Sequence, residues 1–140
     1  MIIAVDFDGT IVEHRYPEIG NEIPFAIDTL RKLTEQRHQI ILWTVRRGKL
    51  LQEAVDWCKE RGIEFYAINK NFPEEQIEDG NVYGKINADL FIDDRNLGGL
   101  PNWGTIYMMI NEGKGWEEIY SDNRHDYEEE EKPKKRRWLW

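Results

Sequence analysis

Asp6-Phe7-Asp8-Gly9-Thr10 is the densest chemistry in this sequence: two carboxylates one residue apart, followed by a glycine that lets the chain turn. The segment stands directly behind the apolar run Ile2 to Val5, so the carboxylates sit at the exit of a buried strand. In an open parallel sheet that exit is where ligands bind. Carboxylates so spaced can hold a divalent metal and face a bound phosphate, and a turn with two solvated acids is the plain alternative. Further along, Thr44 ends a second apolar run and leads into Val45, Arg46, Arg47 and Gly48. A hydroxyl and helix-terminal amides there would bind a phosphate, with Arg47 or Arg46 adding charge; a helix cap with two solvated arginines is the competing reading. Asp93 and Asp94 close another apolar run, and adjacent carboxylates repel each other unless a cation lies between them. Lys85 precedes that run, where its ammonium could offset the acids and hold the phosphate, although a lone loop lysine is commonly just solvated.

The elements that must position these residues can be read from periodicity. Short runs rich in Ile, Val and Phe alternate with helical stretches from Met1 to about Tyr120, the pattern of a parallel sheet flanked by helices. The spacing predicts strands over 2–5, 39–44, 64–68 and 88–92. Asn21 is expected to cap a first helix with Pro24 in its first turn and Ile23, Ile27, Leu30 and Leu33 on one stripe. A second helix, from about Lys49 to Arg61, places Leu51, Ala54, Val55 and Cys58 on a core face, with Gly62 as its stop. Residues 69–87 lose any period and read as a long loop, in which Phe72, Ile77, Val82 and Tyr83 could form a substrate wall or an oligomer contact. A turn-rich stretch from Asp93 to Gly104, a helix of about Thr105 to Asn111 and a short helix through Trp116 to Tyr120 complete the body. The expected division is a catalytic domain over 1–120 and a charged tail with an aromatic end over 121–140.

Composition sets outer bounds. A chain of 140 residues is about one ordinary domain, with 40% apolar and 33% charged residues as in a globular protein. No apolar run approaches the roughly 20 residues needed to cross a bilayer, no basic stretch precedes the first strand, and one cysteine cannot form an internal disulfide. Cytoplasm is the expected compartment. A net charge of −8 works against nonspecific attraction to nucleic acid or anionic lipid.

The four features come in order, three at the carboxyl end of an apolar strand and Lys85 just ahead of the last. In this they resemble the haloacid dehalogenase (HAD) superfamily of phosphohydrolases over about residues 1–110. The resemblance implies a three-layer α/β/α sandwich with a central parallel sheet. It implies that Asp6 is the nucleophile, giving an aspartyl-phosphate, and that Asp8 protonates the leaving oxygen and then deprotonates water. Mg²⁺ would be held by the Asp6 carboxylate, the Asp8 backbone carbonyl and one acid of the late pair, with Asp94 the preferred direct ligand and Asp93 behind it or holding a water. Thr44 and Lys85 would bind the phosphoryl oxygens. Family ATPases carry Thr at the position of Asp8 and family dehalogenases lack the same pair, so the resemblance points to phosphate ester hydrolysis or mutase chemistry. Mutases need a mobile cap, and the gaps of 38 positions from Asp6 to Thr44 and 41 from Thr44 to Lys85 leave no room for one. The chain looks like a capless member.

The function so implied is a Mg²⁺-dependent phosphatase acting on a small phosphorylated metabolite. The alternatives are a nucleotide or nucleic-acid end phosphatase and a non-catalytic scaffold on the same fold. His14, His38 and His125 lie at no ligand spacing and Cys58 has no cysteine partner, which argues against zinc. The tail joins four glutamates, five bases and a closing Trp138-Leu139-Trp140, apolar surface that something should cover. A homo-oligomer is therefore expected, against a tail that stays disordered or folds back on its own body, and the resemblance to capless family members that assemble as tetramers implies a tetramer as its leading form.

Overall fold

The structure, a computed structural model, describes residues 1–76 and 85–115. The centre of the expected 69–87 loop, the helix expected over 116–120 and the tail on which the expected oligomer rests lie outside the described residues. The chain divides into two compact units, Met1–Gly104 and Thr105–Trp140. The fold is α/β, built on an all-parallel sheet of four strands in the order β3-β2-β1-β4.

In sequence the elements are β1 (Ile2–Val5), α1 (Ala26–Glu35), β2 (Gln39–Leu42), α2 (Gly48–Glu60), β3 (Ala67–Ile68), β4 (Leu90–Ile92) and α3 (Trp103–Glu112). β1 is central, and Ile3, Ala4 and Val5 are all buried, as a strand covered on both faces requires. Side chains alternate across the sheet. One face gathers Ala4, Ile41, Ala67 and Ile86 into a core, with Ile2, Trp43, Tyr66, Ala88 and Phe91 packed against it. Beyond the end of β1, the Phe7 ring meets Trp57 of α2 edge-on with centroids 5.8 Å apart.

Three strands are shorter than expected. β2, β3 and β4 give up one or more residues at an end, because a ladder lasts only while a partner strand is beside it. Their flanks still join it singly: the Trp43 N–H donates to Val5 O (2.9 Å) and the Tyr66 N–H to Ile40 O (2.8 Å). α3 also starts two residues earlier and ends one later than the expected Thr105 to Asn111.

The start of α1 corrects the reading of Asn21 and Pro24. Pro24 lies at the second position of a turn closed by the Ala26 N–H donating to Ile23 O (3.1 Å), with Phe25 at φ 67° in the third. Proline presets that second position as readily as it presets a first helical turn, so the helix begins at Ala26 instead. Asn21 instead belongs to a ribbon, its carbonyl accepting from the Glu13 N–H (2.8 Å). The Glu22 carboxylate takes over the capping role, accepting from the Ile27 N–H at 3.0 Å. The predicted stripe survives in Ile27, Leu30 and Leu33, all buried.

α2 ends as expected at Gly62. The N–H groups of Gly62 and Ile63 donate to Lys59 O and Cys58 O, both at 3.0 Å, a Schellman closure that needs the left-handed φ of 82° at Gly62. Among the described residues no helix is long and apolar enough to cross a membrane.

Candidate active site

Strand register explains which acids meet. β1 and β4 pair as Ile3 with Leu90, Ala4 with Phe91 and Val5 with Ile92, so the next step along both strands sets Asp6 beside Asp93. The Asp6 N–H still donates to Ile92 O at 3.0 Å, which fixes that step. Directly after Asp6 the chain turns back on itself: Phe7 O accepts from the N–H groups of Thr10, Ile11 and Val12 at 3.2, 2.9 and 3.3 Å. A short antiparallel ribbon follows, with Val12 bridged to Glu22 and the Ile23 N–H donating to Ile11 O (2.9 Å).

The turn brings Asp94 over Gly9. Gly9 has φ 81°, and a Cβ there would overlap the Asp94 carboxylate, so both the turn and the close approach require glycine. Thr10, fully buried, holds Asp94 from the other side: its hydroxyl accepts from the Asp94 N–H at 3.1 Å and lies 3.5 Å from Asp94 Oδ1. The Thr10 carbonyl is itself held by the Trp103 indole N–H at 2.9 Å. Asp93 accepts from the Arg95 N–H at 3.0 Å. Carboxylate oxygens of Asp6, Asp93 and Asp94 thus lie within 4.8 Å of one another, all half-buried.

That proximity has an electrostatic cost. Burial, with Asp93, Asp94 and Asp8 adding repulsion and a hydrogen bond from the Phe7 backbone opposing them, pushes the Asp6 carboxyl from 3.8 up to about 7. Three convergent carboxylate oxygens form a hard, anionic donor set of the kind that suits Mg²⁺, Ca²⁺ or Mn²⁺. A cation among them would remove the repulsion.

Asp8 is two residues away and lives in a different environment. It is buried and bound by Arg46, whose Nε donates to Oδ2 and Nη2 to Oδ1, both at 2.7 Å. Of the two arginines offered as alternatives for adding charge at a phosphate, Arg46 is thereby committed elsewhere. The Arg46 side chain is fully buried and engaged with Asp8, which holds the guanidinium charged, whereas Arg47 is exposed at the N-cap of α2.

Thr44 follows β2 and is half-buried. Its N–H donates to Asn69 Oδ1 at 2.8 Å, and its hydroxyl accepts from the Arg46 N–H at 3.1 Å while still carrying a proton to donate. Lys85 is exposed and its ammonium stands 4.9 Å from the centroid of the Phe91 ring. Phe91 precedes Asp93 by two residues, so Lys85 covers the sheet face on which Asp6 and Asp93 follow. The structure therefore gathers Asp6, Asp93 and Asp94, sets Asp8 apart on Arg46, and holds Thr44 through Asn69.

Three participants escaped the sequence. Thr10 stood inside the quoted motif without a role, Asn69 was read as the first residue of a loop, and Arg46 was indistinguishable from Arg47. His14 is exposed. His38 is half-buried against the N-terminal amine, 3.0 Å from its Nδ1, and burial followed by that charge lowers its pKa. Cys58 is buried, and burial pushes its thiol up to about 12, which removes it as a nucleophile. A cavity of about 390 Å³ lies beside α1 and the end of α2, where Arg31 pairs with Asp28 at 2.7 Å, Arg61 lies 3.8 Å from Glu60, and Glu22 accepts from the Ile27 N–H.

The chain matches no protein-family model and no curated protein. It is similar to a conserved protein from Bacteroides thetaiotaomicron of solved structure, with 62% identity, a TM-score of 0.80, and coverage of 86% of this chain and 97% of that one.

Proposed function

We propose that this chain, which belongs to one family with the conserved Bacteroides thetaiotaomicron protein, is a phosphatase on the HAD plan. It hydrolyses a small phosphorylated metabolite through an aspartyl-phosphate, with Mg²⁺ as cofactor, in the cytoplasm. The observation that carries the reading is the convergence of Asp6, Asp93 and Asp94 within 4.8 Å at the carboxyl ends of β1 and β4. The fold in this reading is a three-layer α/β/α sandwich without a cap: a turn, a ribbon and α1 fill the space between Asp6 and Thr44.

Asp6, Asp93 and Asp94 would hold the cation, with Asp94 the preferred direct ligand of the late pair and the Asp8 carbonyl completing the set. When bound, Mg²⁺ supplies positive charge that offsets the clustered carboxylates and the phosphoryl oxygens. Thr44, Lys85 and Arg47 take the phosphoryl oxygens of the substrate. An Asp6 carboxylate oxygen bonds to phosphorus as the phosphorus–oxygen bond to the leaving group breaks, and the departing oxygen takes its proton from Asp8. In the second half Asp8 accepts a proton from water as the water oxygen bonds to phosphorus, and the Asp6–phosphorus link breaks to release phosphate.

A panel of sugar, polyol, nucleoside and oligonucleotide-end phosphates assayed with Mg²⁺ tests this. The wild type should release phosphate from a small ester with little dependence on salt, and a folded Asp6→Asn should lose about a thousandfold or more. Steep salt dependence on an oligonucleotide end would redirect the reading to nucleic acid. A folded Asp6→Asn that keeps most of the rate would overturn the covalent route, and a wild type inert toward every ester would leave a scaffold.

A further inference from the structure

We infer that Arg46 is the positioning residue of the site: it sets the plane and reach of Asp8 and ties that setting to the 13–20 segment and to α2. The inference rests on the proton-transfer role proposed above for Asp8.

A guanidinium has five N–H donors in a rigid fork, and here each has an acceptor. Nε and Nη2 take the two Asp8 oxygens at 2.7 Å each. Nη2 also donates to Glu18 O at 2.9 Å, and Nη1 donates to Pro17 O at 3.2 Å and Leu50 O at 3.4 Å. The Phe7 and Tyr16 rings each lie with their centroids 5.2 Å from the guanidinium carbon. Every degree of freedom of the Arg46 head is thereby held. Two parallel bonds to one carboxylate fix its plane as well as its distance, which a single ammonium cannot do.

Nothing in this arrangement leaves Arg46 a donor for a phosphate. Its influence on the reaction must pass through Asp8, and a general acid displaced by about 1 Å loses much of its advantage. The three carbonyl contacts matter for the same reason. Pro17 and Glu18 belong to the segment between the two sides of the ribbon that follows Asp8, and Leu50 to the first turn of α2. One side chain therefore registers the strand exit bearing Asp8 against the backbone on either side of it.

The test separates kcat/KM from kcat for two esters with Mg²⁺ present. The quantity kcat/KM covers steps only through departure of the leaving group, so it needs a general acid for an alkyl phosphate such as glycerol 2-phosphate and hardly for 4-nitrophenyl phosphate. In Arg46→Lys, which keeps the charge and loses the fork, kcat/KM for the alkyl ester should fall about a hundredfold. For the nitrophenyl ester it should change less than about threefold, while kcat drops because Asp8 must still activate water. Asp8→Asn should show the same pattern, and adding Arg46→Lys to it should cost nothing further. Equal losses of kcat/KM for both esters would mean phosphate binding or general damage and would overturn the inference. Should Arg46→Lys fail to fold, Tyr16→Leu at a half-exposed position replaces it and should give the same discrimination several-fold; no discrimination there would also overturn it. A wild type that turns over neither ester would overturn the underlying reading and this inference with it.

Discussion

Asp6 and Asp8 leave the same turn and meet opposite fates. Asp8 is almost wholly buried, yet both of its oxygens are matched by the Arg46 fork. Asp6 has no such partner among the described residues, and burial first, with the facing Asp93 and Asp94 after it, raises its carboxyl to about 7. The fold has supplied a counter-charge to one carboxylate and a set of like charges to the other. A buried charge that the protein itself neutralises serves geometry, whereas a cluster left in mutual repulsion stores affinity for something brought from outside.

The largest test of that contrast removes the internal counter-charge. Arg46→Ala strands a buried carboxylate and should destabilise the protein by about 3–5 kcal/mol in urea unfolding. Asp8→Ala should cost a comparable amount, and the double variant clearly less than the two together. Additive costs would show that the two side chains do not act as a pair.

The cluster should behave in the opposite sense. Because the Asp6 carboxyl is raised from 3.8 to about 7, the folded state binds the proton more tightly than the unfolded chain. Without divalent metal, its contribution to stability is therefore lost progressively as pH rises from about 4 to about 7 and stays lost above. At pH 8 in chelator, Asp6→Asn should melt several degrees above the wild type, with a smaller gap at pH 5. Mg²⁺ should raise the melting temperature of the wild type and narrow that gap. A wild type more stable than Asp6→Asn at pH 8 in chelator would mean the repulsion is already compensated.

The smallest effect concerns the anchor of Asp94 within the cluster. Thr10→Val keeps the shape but removes the acceptor of the Asp94 N–H, and should cost about 1 kcal/mol of stability. Mg²⁺ affinity measured by the same melting shift should weaken with it, since Asp94 loses its anchor. Unchanged affinity would place the anchoring of Asp94 with Gly9 and the strand alone.

Much of the frame was legible because its causes are local. An unbroken apolar run makes a strand buried on both faces, and Ile27, Leu30 and Leu33 recur at helical spacing whatever surrounds them. Gly62 stops α2 because the closing turn needs a left-handed residue. The start of α1 was misread because Pro24 serves a turn and a helix start equally well, and the choice was made by contacts of Ile23 and Glu22. The candidate acids could be named from their strand ends, but the separation of Asp8 from the other three could not.

The residues by themselves determined an alternating α/β chain whose acids fall at strand exits, since residue type, periodicity and turn chemistry act over a few positions. Only the tertiary structure decided that Asp6 stands beside Asp93, that Thr10 anchors Asp94 from 84 positions away, and that Arg46 rather than Arg47 turns inward to Asp8 across 38. Strand register and the burial of one arginine of two depend on which surfaces are pressed together, and no local preference distinguishes neighbours that are chemically alike.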